Sequence, residues 1–283
     1  MRIYEAVVPG RADGMRLDKY VSLVFSLLPA AVTRDAFAHR DVKIDGKRSG
    51  KETPVLSGQR IQLYTCYAPD LPVVYEDDHI LLLNKPAGIS CDEDEWGGMT
   101  LLSLLTERAK GAYTPRLCHR LDHPTCGLLL LCKDDESESV LLEAFKNRAL
   151  DKKYQCLVRG EMRPPAALKE AYLIKNAETA TVRIVTHETP GALPIATQYE
   201  TLDYDGAISR LRVTLLTGRT HQIRAHMAFL SHPILGDDKY GDRAFNKRCK
   251  TTSLRLCATE LTLHVSGCLA YLDGKAFAID PPF

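Results

Sequence analysis

Leu128-Leu129-Leu130-Leu131 carries no polar alternation, so it is expected as a strand covered on both faces. Most of the chain is patterned differently. Leu17, Tyr20, Val21, Val24 and Leu28 recur at helical spacing, and Pro29 stops them. A second short helix is expected after Thr33, with Arg34, His39 and Arg40 exposed. Val42-Lys43-Ile44 then runs into Asp45-Gly46, a hairpin signal, and Ile61 and Leu63 alternate within a strand over residues 55–64. Two prolines in Ala68-Pro69-Asp70-Leu71-Pro72 interrupt the pattern and place a boundary there, giving domains of residues 1–70 and 71–283.

Beyond that boundary, Val73-Val74-Tyr75, a polar turn at Glu76-Asp77-Asp78, and His79 to Leu83 read as a hairpin. Thr100 is placed to cap a helix over residues 101–110, and a second helix is expected over 136–150. Strands are expected over residues 152–158, 180–186, 196–204, 210–216 and 258–265. Many strands with few helices, mostly hairpin-linked, indicate an α+β fold: a mixed, largely antiparallel sheet with flanking helices. No fixed-period repeat is evident.

Composition narrows the class. The net charge of +1 hides a skew, because residues 1–66 hold eleven Lys or Arg against seven Asp or Glu. A small basic N-terminal part suits a polyanionic partner. No apolar run approaches the roughly 20 residues that span a bilayer. The N-terminus lacks the basic and then apolar layout of a secretory signal, so a cytoplasmic location is expected. Nine cysteines without a Cys-x-x-Cys pair point to reduced thiols and away from a zinc site.

Two charged stretches carry the candidate chemistry. In the first, Cys118-His119-Arg120-Leu121-Asp122-His123-Pro124-Thr125-Cys126-Gly127 feeds the apolar run, so a cation and a carboxylate stand at the mouth of a core. Asp122 there is either a turn cap or a nucleophile or base. The second is Gly218-Arg219-Thr220-His221-Gln222-Ile223-Arg224-Ala225-His226-Met227, expected to open a helix with Thr220 as N-cap. Its arginines and histidines suit a phosphate patch or a catalytic site. About a hundred residues separate Asp122 from Arg224, and a fold that joined them would set a guanidinium against a poorly hydrated carboxylate. Tyr154 offers a flat face for an aromatic ring.

These stretches resemble known families. Arg16-Leu17-Asp18-Lys19-Tyr20, Val42-Lys43-Ile44-Asp45-Gly46-Lys47 and Gly58-Gln59-Arg60-Ile61 are similar to the S-four-type RNA-binding domain, with Val32-Thr33-Arg34-Asp35 where that family usually has Ser-Arg. That likeness implies a small N-terminal α/β RNA-binding domain, with Arg34 and Lys43 among its contacts. Leu117 to Leu131 resembles the signature of the RluA family of pseudouridine synthases. Leu83-Asn84-Lys85-Pro86-Ala87-Gly88, Lys152-Lys153-Tyr154, Gly218 to His226, and His232-Pro233-Ile234-Leu235-Gly236-Asp237 are similar to that family's other motifs.

The resemblance implies isomerisation of uridine in ribosomal or transfer RNA, with no metal or organic cofactor and a monomeric enzyme. By position it makes Asp122 the catalytic aspartate, Tyr154 the aromatic packed on the base, and Arg224 the partner of Asp122. Arg120 would hold the target nucleotide out of its helix, Ile223 would form a wall beneath the uracil, and His119, Arg219 and His221 would contact RNA. Cys126 stands where the family usually has Ser, and the acidic stretch Asp92 to Glu95 is not a family motif. Two rival classes remain: an RNA-binding module without catalysis, and a ribonuclease using His119, His221 or His226 as acid and base. A thiol enzyme built on Cys118 or Cys126 lacks an obvious activating partner.

Overall fold

A computed structural model describes residues 1–176 and 179–283. In chain order the elements are β1 (Arg2–Val7), α1 (Leu17–Val24), α2 (Ala30–Ala38), β2 (Val42–Ile44), β3 (Lys47–Arg48), β4 (Arg60–Thr65), β5 (Val73–Glu76) and β6 (Ile80–Lys85). There follow α3 (Leu101–Ala109), β7 (Arg116–Leu117), β8 (Cys126–Cys132), α4 (Asp135–Lys146), β9 (Leu150–Arg159), β10 (Ala166–Asn176), β11 (Thr181–Val185) and β12 (Leu193–Tyr204). The last are β13 (Ile208–Leu215), α5 (Gln222–Phe229), α6 (Arg243–Arg248), β14 (Leu256–Leu263) and β15 (Ala276–Ala278). They divide into two compact units, Met1–Pro72 with Ala87–Leu117, and Val73–Pro86 with Cys118–Phe283.

The first unit is built on an antiparallel sheet of order β1-β4-β2-β3. Leu17, Tyr20, Val21, Val24 and Leu28 are all buried, as their spacing requires. Asp45 and Gly46 both take positive φ, the backbone that a tight hairpin needs. Helix α2 starts at Ala30, not after Thr33: Pro29 occupies the N-cap, and the Thr33 hydroxyl donates back to the Ala30 carbonyl from within the helix. Residues 87–117, expected with the C-terminal part, pack into this unit instead. Tyr20 Oη donates to the Trp96 carbonyl at 2.7 Å, and the Met99 N–H to the Val24 carbonyl at 3.2 Å. Gly97 and Gly98 lie so close to the backbone of Val7 and Val24 that no side chain would fit.

The second unit holds a large sheet of order β11-β10-β12-β13-β9-β14-β8-β6-β5, with β15 on β14. Every neighbouring pair in it is antiparallel except β14 and β8. All seven residues of β8 are buried, which accounts for its uninterrupted apolar sequence. It packs with Ile80 and Leu82 of β6, Leu141 of α4 and Leu261 and Leu263 of β14.

Two expectations shift in detail. Helix α4 ends at Lys146, and Leu150 opens β9, because Arg148 takes a positive φ that turns the chain. Strand β10 lies outside the expected strands, since its Lys169, Glu170 and Lys175 dilute the apolar alternation. Thr100 does cap α3, in a reciprocal box with Ser103. Among the described residues no helix is long and apolar enough to cross a membrane.

Gly127 is the tightest joint in this sheet. Its φ of +114° is one that side chains rarely adopt, and a Cβ there would lie 2.3 Å from the Ala258 carbonyl oxygen in β14. Gly127→Ala is therefore expected to destabilise the protein by about 3 kcal/mol, combining strain with overpacking. Urea unfolding of the two forms checks this.

Candidate active site

Arg224 is held from several sides in the second unit. It lies on the first turn of α5 with 1% of its surface exposed, a position that no lone cation tolerates. Its Nε and Nη2 donate to the two carboxylate oxygens of Asp237 at 2.8 and 2.9 Å, a bidentate pair. Nη2 also donates to Asp238 at 3.0 Å, and the guanidinium carbon lies 5.4 Å from the centre of the Tyr240 ring. Burial alone would lift the Asp237 carboxyl, yet the hydrogen bonds and charge of Arg224 hold it below the ordinary carboxylate range. Asp237 Oδ1 further accepts the N–H groups of Lys239 and Tyr240.

The remaining nitrogen, Nη1, faces Asp122. The distance to Asp122 Oδ2 is 3.4 Å, so residues 102 apart in sequence meet at one carboxylate. Asp122 keeps 23% of its side chain exposed, whereas Arg224 and Asp237 have almost none. The carboxylate is thus accessible while its cationic neighbour is fixed. His221 Nε2 lies 4.0 Å from the same Oδ2. The ring of Tyr154 is buried in β9, and burial, together with the charge of Asp122, pushes its phenol well above the ordinary range, so it stays neutral.

The Asp122 loop is anchored from below. Lys85, at the end of β6, is fully buried, and its Nζ donates to the carbonyl oxygens of Pro86, His123 and Thr125 at 3.0, 3.3 and 2.9 Å. The Thr125 N–H returns to the Asp122 carbonyl at 3.0 Å and closes the turn. Cys126 fits the buried start of β8, with its thiol directed to the Leu256 carbonyl at 3.6 Å.

Residues 79–229 match the sequence profile of the family described as RNA pseudouridylate synthase. The chain belongs to that family. It is 32% identical over 244 residues to ribosomal large subunit pseudouridine synthase D of Yersinia pestis, covering 81% of this chain and 74% of that protein. It is 29% identical over 252 residues to ribosomal large subunit pseudouridine synthase C of Salmonella typhi, covering 83% of this chain and 79% of the relative. Among solved structures it is similar to human RNA pseudouridylate synthase domain containing 1, with a TM-score of 0.62 and 25% identity over 78% of this chain and 86% of the other. The α+β fold with a mostly antiparallel sheet is therefore the fold of this RNA-modifying isomerase family.

As a pseudouridylate synthase, the chain distributes its expected site residues unevenly. Asp122, Arg224, Tyr154 and His221 interact around one carboxylate. Ile223 is buried beside Arg224 on α5, while Arg120 and Arg219 are exposed. Arg34 and Lys43 belong to the first unit, where Lys43 Nζ sits 4.3 Å from the centre of the Tyr64 ring. Thr220 does not cap α5. His221 takes that place with φ +52°, and the Gln222 side chain accepts the Arg219 N–H instead. The acidic stretch lies in the first unit, where Asp94 accepts the N–H groups of Trp96 and Gly98 and so shapes its own turn.

His119 makes contacts within the protein. Its Nε2 accepts the Leu130 N–H of β8 at 3.0 Å, and its ring stacks on Phe145 at 4.7 Å. Burial, helped by the charge of Lys152, lowers its proton affinity to about 3. His226 is likewise buried against Thr197, and burial lowers it to about 4. Neither ring suits acid and base work at neutrality, which removes two of the three histidines a ribonuclease would use. Sequence reasoning assigned no site role to Lys85, Asp237, Asp238 or Tyr240. Lys85 and Asp237 lie inside the family-like motifs, and a lysine closing an apolar strand is the sequence signal for the first.

The His119 and His226 rings set a pH dependence. Their folded-state values lie below the ordinary 6.5. Between these limits the unfolded chain binds protons that the native protein does not, so stability must rise with pH there. Unfolding free energy is expected to fall steadily as pH drops from 6.5 towards 4, and His226→Gln is expected to flatten that slope. Urea titrations across this range measure it.

Proposed function

We propose that this chain converts uridines of large-subunit ribosomal RNA to pseudouridine, with Asp122 as the catalytic carboxylate. One observation carries the reading: an accessible Asp122 oxygen held 3.4 Å from the immobilised guanidinium of Arg224, within a family of RNA pseudouridylate synthases. The names of the relatives, both ribosomal large-subunit enzymes, favour ribosomal over transfer RNA. In the reaction the bond from ribose C1′ to N1 of uracil breaks, the base turns, and C1′ bonds to C5. N1 gains a proton and C5 loses one, so the product is an isomer and the balance requires no cofactor.

Asp122 serves either by attacking C1′ or by removing the 2′ proton to give a glycal. Both routes need an ionised, poorly hydrated carboxylate, and the Arg224 charge favours that form. A uridine inside a helix must be flipped out to reach it, at a cost of a few kcal/mol. Arg120, exposed two residues before Asp122, is suited to fill the gap that the nucleotide leaves. The neutral ring of Tyr154 packs on the base, and Ile223 supports it from below. Asp122→Asn is expected to abolish pseudouridine, read by mass spectrometry of digested RNA, while RNA affinity persists. Product formed at the native rate by that variant would defeat the assignment, and a protein that binds RNA without modifying it would be a binding module.

The first unit is proposed to be the S-four-like RNA-binding domain. Its basic surplus supplies counter-charge for phosphates, and Arg34 and Lys43 are its candidate contacts. The protein is proposed to act as a cytoplasmic monomer. Arg34→Glu and Lys43→Glu are each expected to weaken RNA binding and to lower the slope of log affinity against log salt by about 1. Filter binding across a salt series tests this, and unchanged slopes would leave the first unit without an RNA role.

A further inference from the structure

His221 sits where backbone strain is tolerated only for a reason. Its φ of +52° is uncommon for a residue with a side chain, and it turns the ring back from the start of α5 towards Asp122. On its other side, Nδ1 lies 2.8 Å from Tyr240 Oη. That hydroxyl oxygen already accepts the Val182 N–H at 2.9 Å. A phenol has one proton to give, and among the described residues Nδ1 is the acceptor within its reach.

Two arrangements of the neutral imidazole are open, and they differ sharply in consequence. With the proton on Nδ1, the Tyr240 hydroxyl proton would lack an acceptor, and the lone pair of Nε2 would face the carboxylate of Asp122. With the proton on Nε2, Tyr240 donates to Nδ1 and Nε2–H points towards Asp122 Oδ2, 4.0 Å away. The second satisfies both ends of the ring. Arg224 Nη1 approaches the same Oδ2, and among the described residues no hydrogen bond or ion pair engages Oδ1.

We propose that His221 is a positioning residue, held by Tyr240 as the Nε2–H tautomer, which with Arg224 fixes Asp122 Oδ2 and leaves Oδ1 as the oxygen that reacts with the nucleotide. This role rests on the reading of the chain as a uridine isomerase. The contact at 4.0 Å tightens when the bound nucleotide displaces water, as catalytic hydrogen bonds often do. Val182 and Tyr240 thereby reach the reaction through one imidazole. The groups around the ring are Asp122, Asp237, Arg224 and Lys239; burial, reinforced by the charges of Arg224 and Lys239, outweighs the two carboxylates and lowers its proton affinity.

Full-length protein and a ribosomal RNA substrate test the role. His221→Asn, whose short amide cannot reach Oδ2, is expected to lower kcat roughly ten-fold with KM unchanged, the value of one hydrogen bond to a charged group. His221→Gln, whose amide nitrogen can occupy the position of Nε2, is expected to recover several-fold over the Asn variant. Tyr240→Phe is expected to lower kcat in the same sense. Nitrogen NMR of the unaltered protein labelled at histidine is expected to place the His221 proton on Nε2. Equal kcat for the Asn and Gln variants, or active protein with the proton on Nδ1, would overturn this role alone. Unaltered protein inactive on every ribosomal RNA would remove the isomerase reading and this role with it.

Discussion

The burial of one guanidinium governs the catalytic unit. Arg224 cannot stay charged in an interior without compensation, and the bidentate carboxylate of Asp237 supplies it. That pairing fixes the guanidinium plane, so Nη1 can point only one way, and Asp122 is found there. Losing either partner would leave a charge stranded in the buried interior, at a cost of about 3–5 kcal/mol. Stability therefore ties α5 to the loop after it, and the turn before β8 meets this pair at Nη1. The geometry that serves chemistry is in this way enforced by stability.

The same logic explains the two kinds of polar residue near the site. Lys85, His119, His226 and Gln222 have their polar atoms directed to backbone or hydroxyl partners, and they hold the loops and strands that frame the carboxylate. Asp122 and Arg120 retain solvent exposure. Rigid support beneath an accessible carboxylate lets a small loop act with the precision of a strand. The cluster of cysteines near β8 belongs to the supporting set: Cys126, Cys132 and Cys257 are buried in tightly packed strands, as small apolar side chains would be.

Much of this architecture is legible in the chain. The unbroken leucines of β8, the helical spacing of Leu17 to Val24, the Asp45-Gly46 turn and the Thr100 cap each follow from a local rule, because each is stabilised by neighbours within a few residues. Strand β10 escaped because its charged face on the sheet conceals the alternation. The packing of residues 87–117 with the N-terminal unit escaped for another reason: it depends on Gly97 and Gly98 fitting against Val7 and Val24, a match of surfaces far apart in sequence.

The sequence by itself determined which residues could be chemical, since carboxylate, guanidinium and imidazole groups stood in motifs at strand and helix boundaries. Only the tertiary structure decided how they divide the work. It set Asp237 rather than Asp122 as the principal partner of Arg224, gave His119 and His226 partners within the protein, and joined His221 to Tyr240. The physical reason is that a side chain's charge state and hydrogen bonds are fixed by its depth and by partners supplied from distant segments, and neither is written in its immediate neighbours.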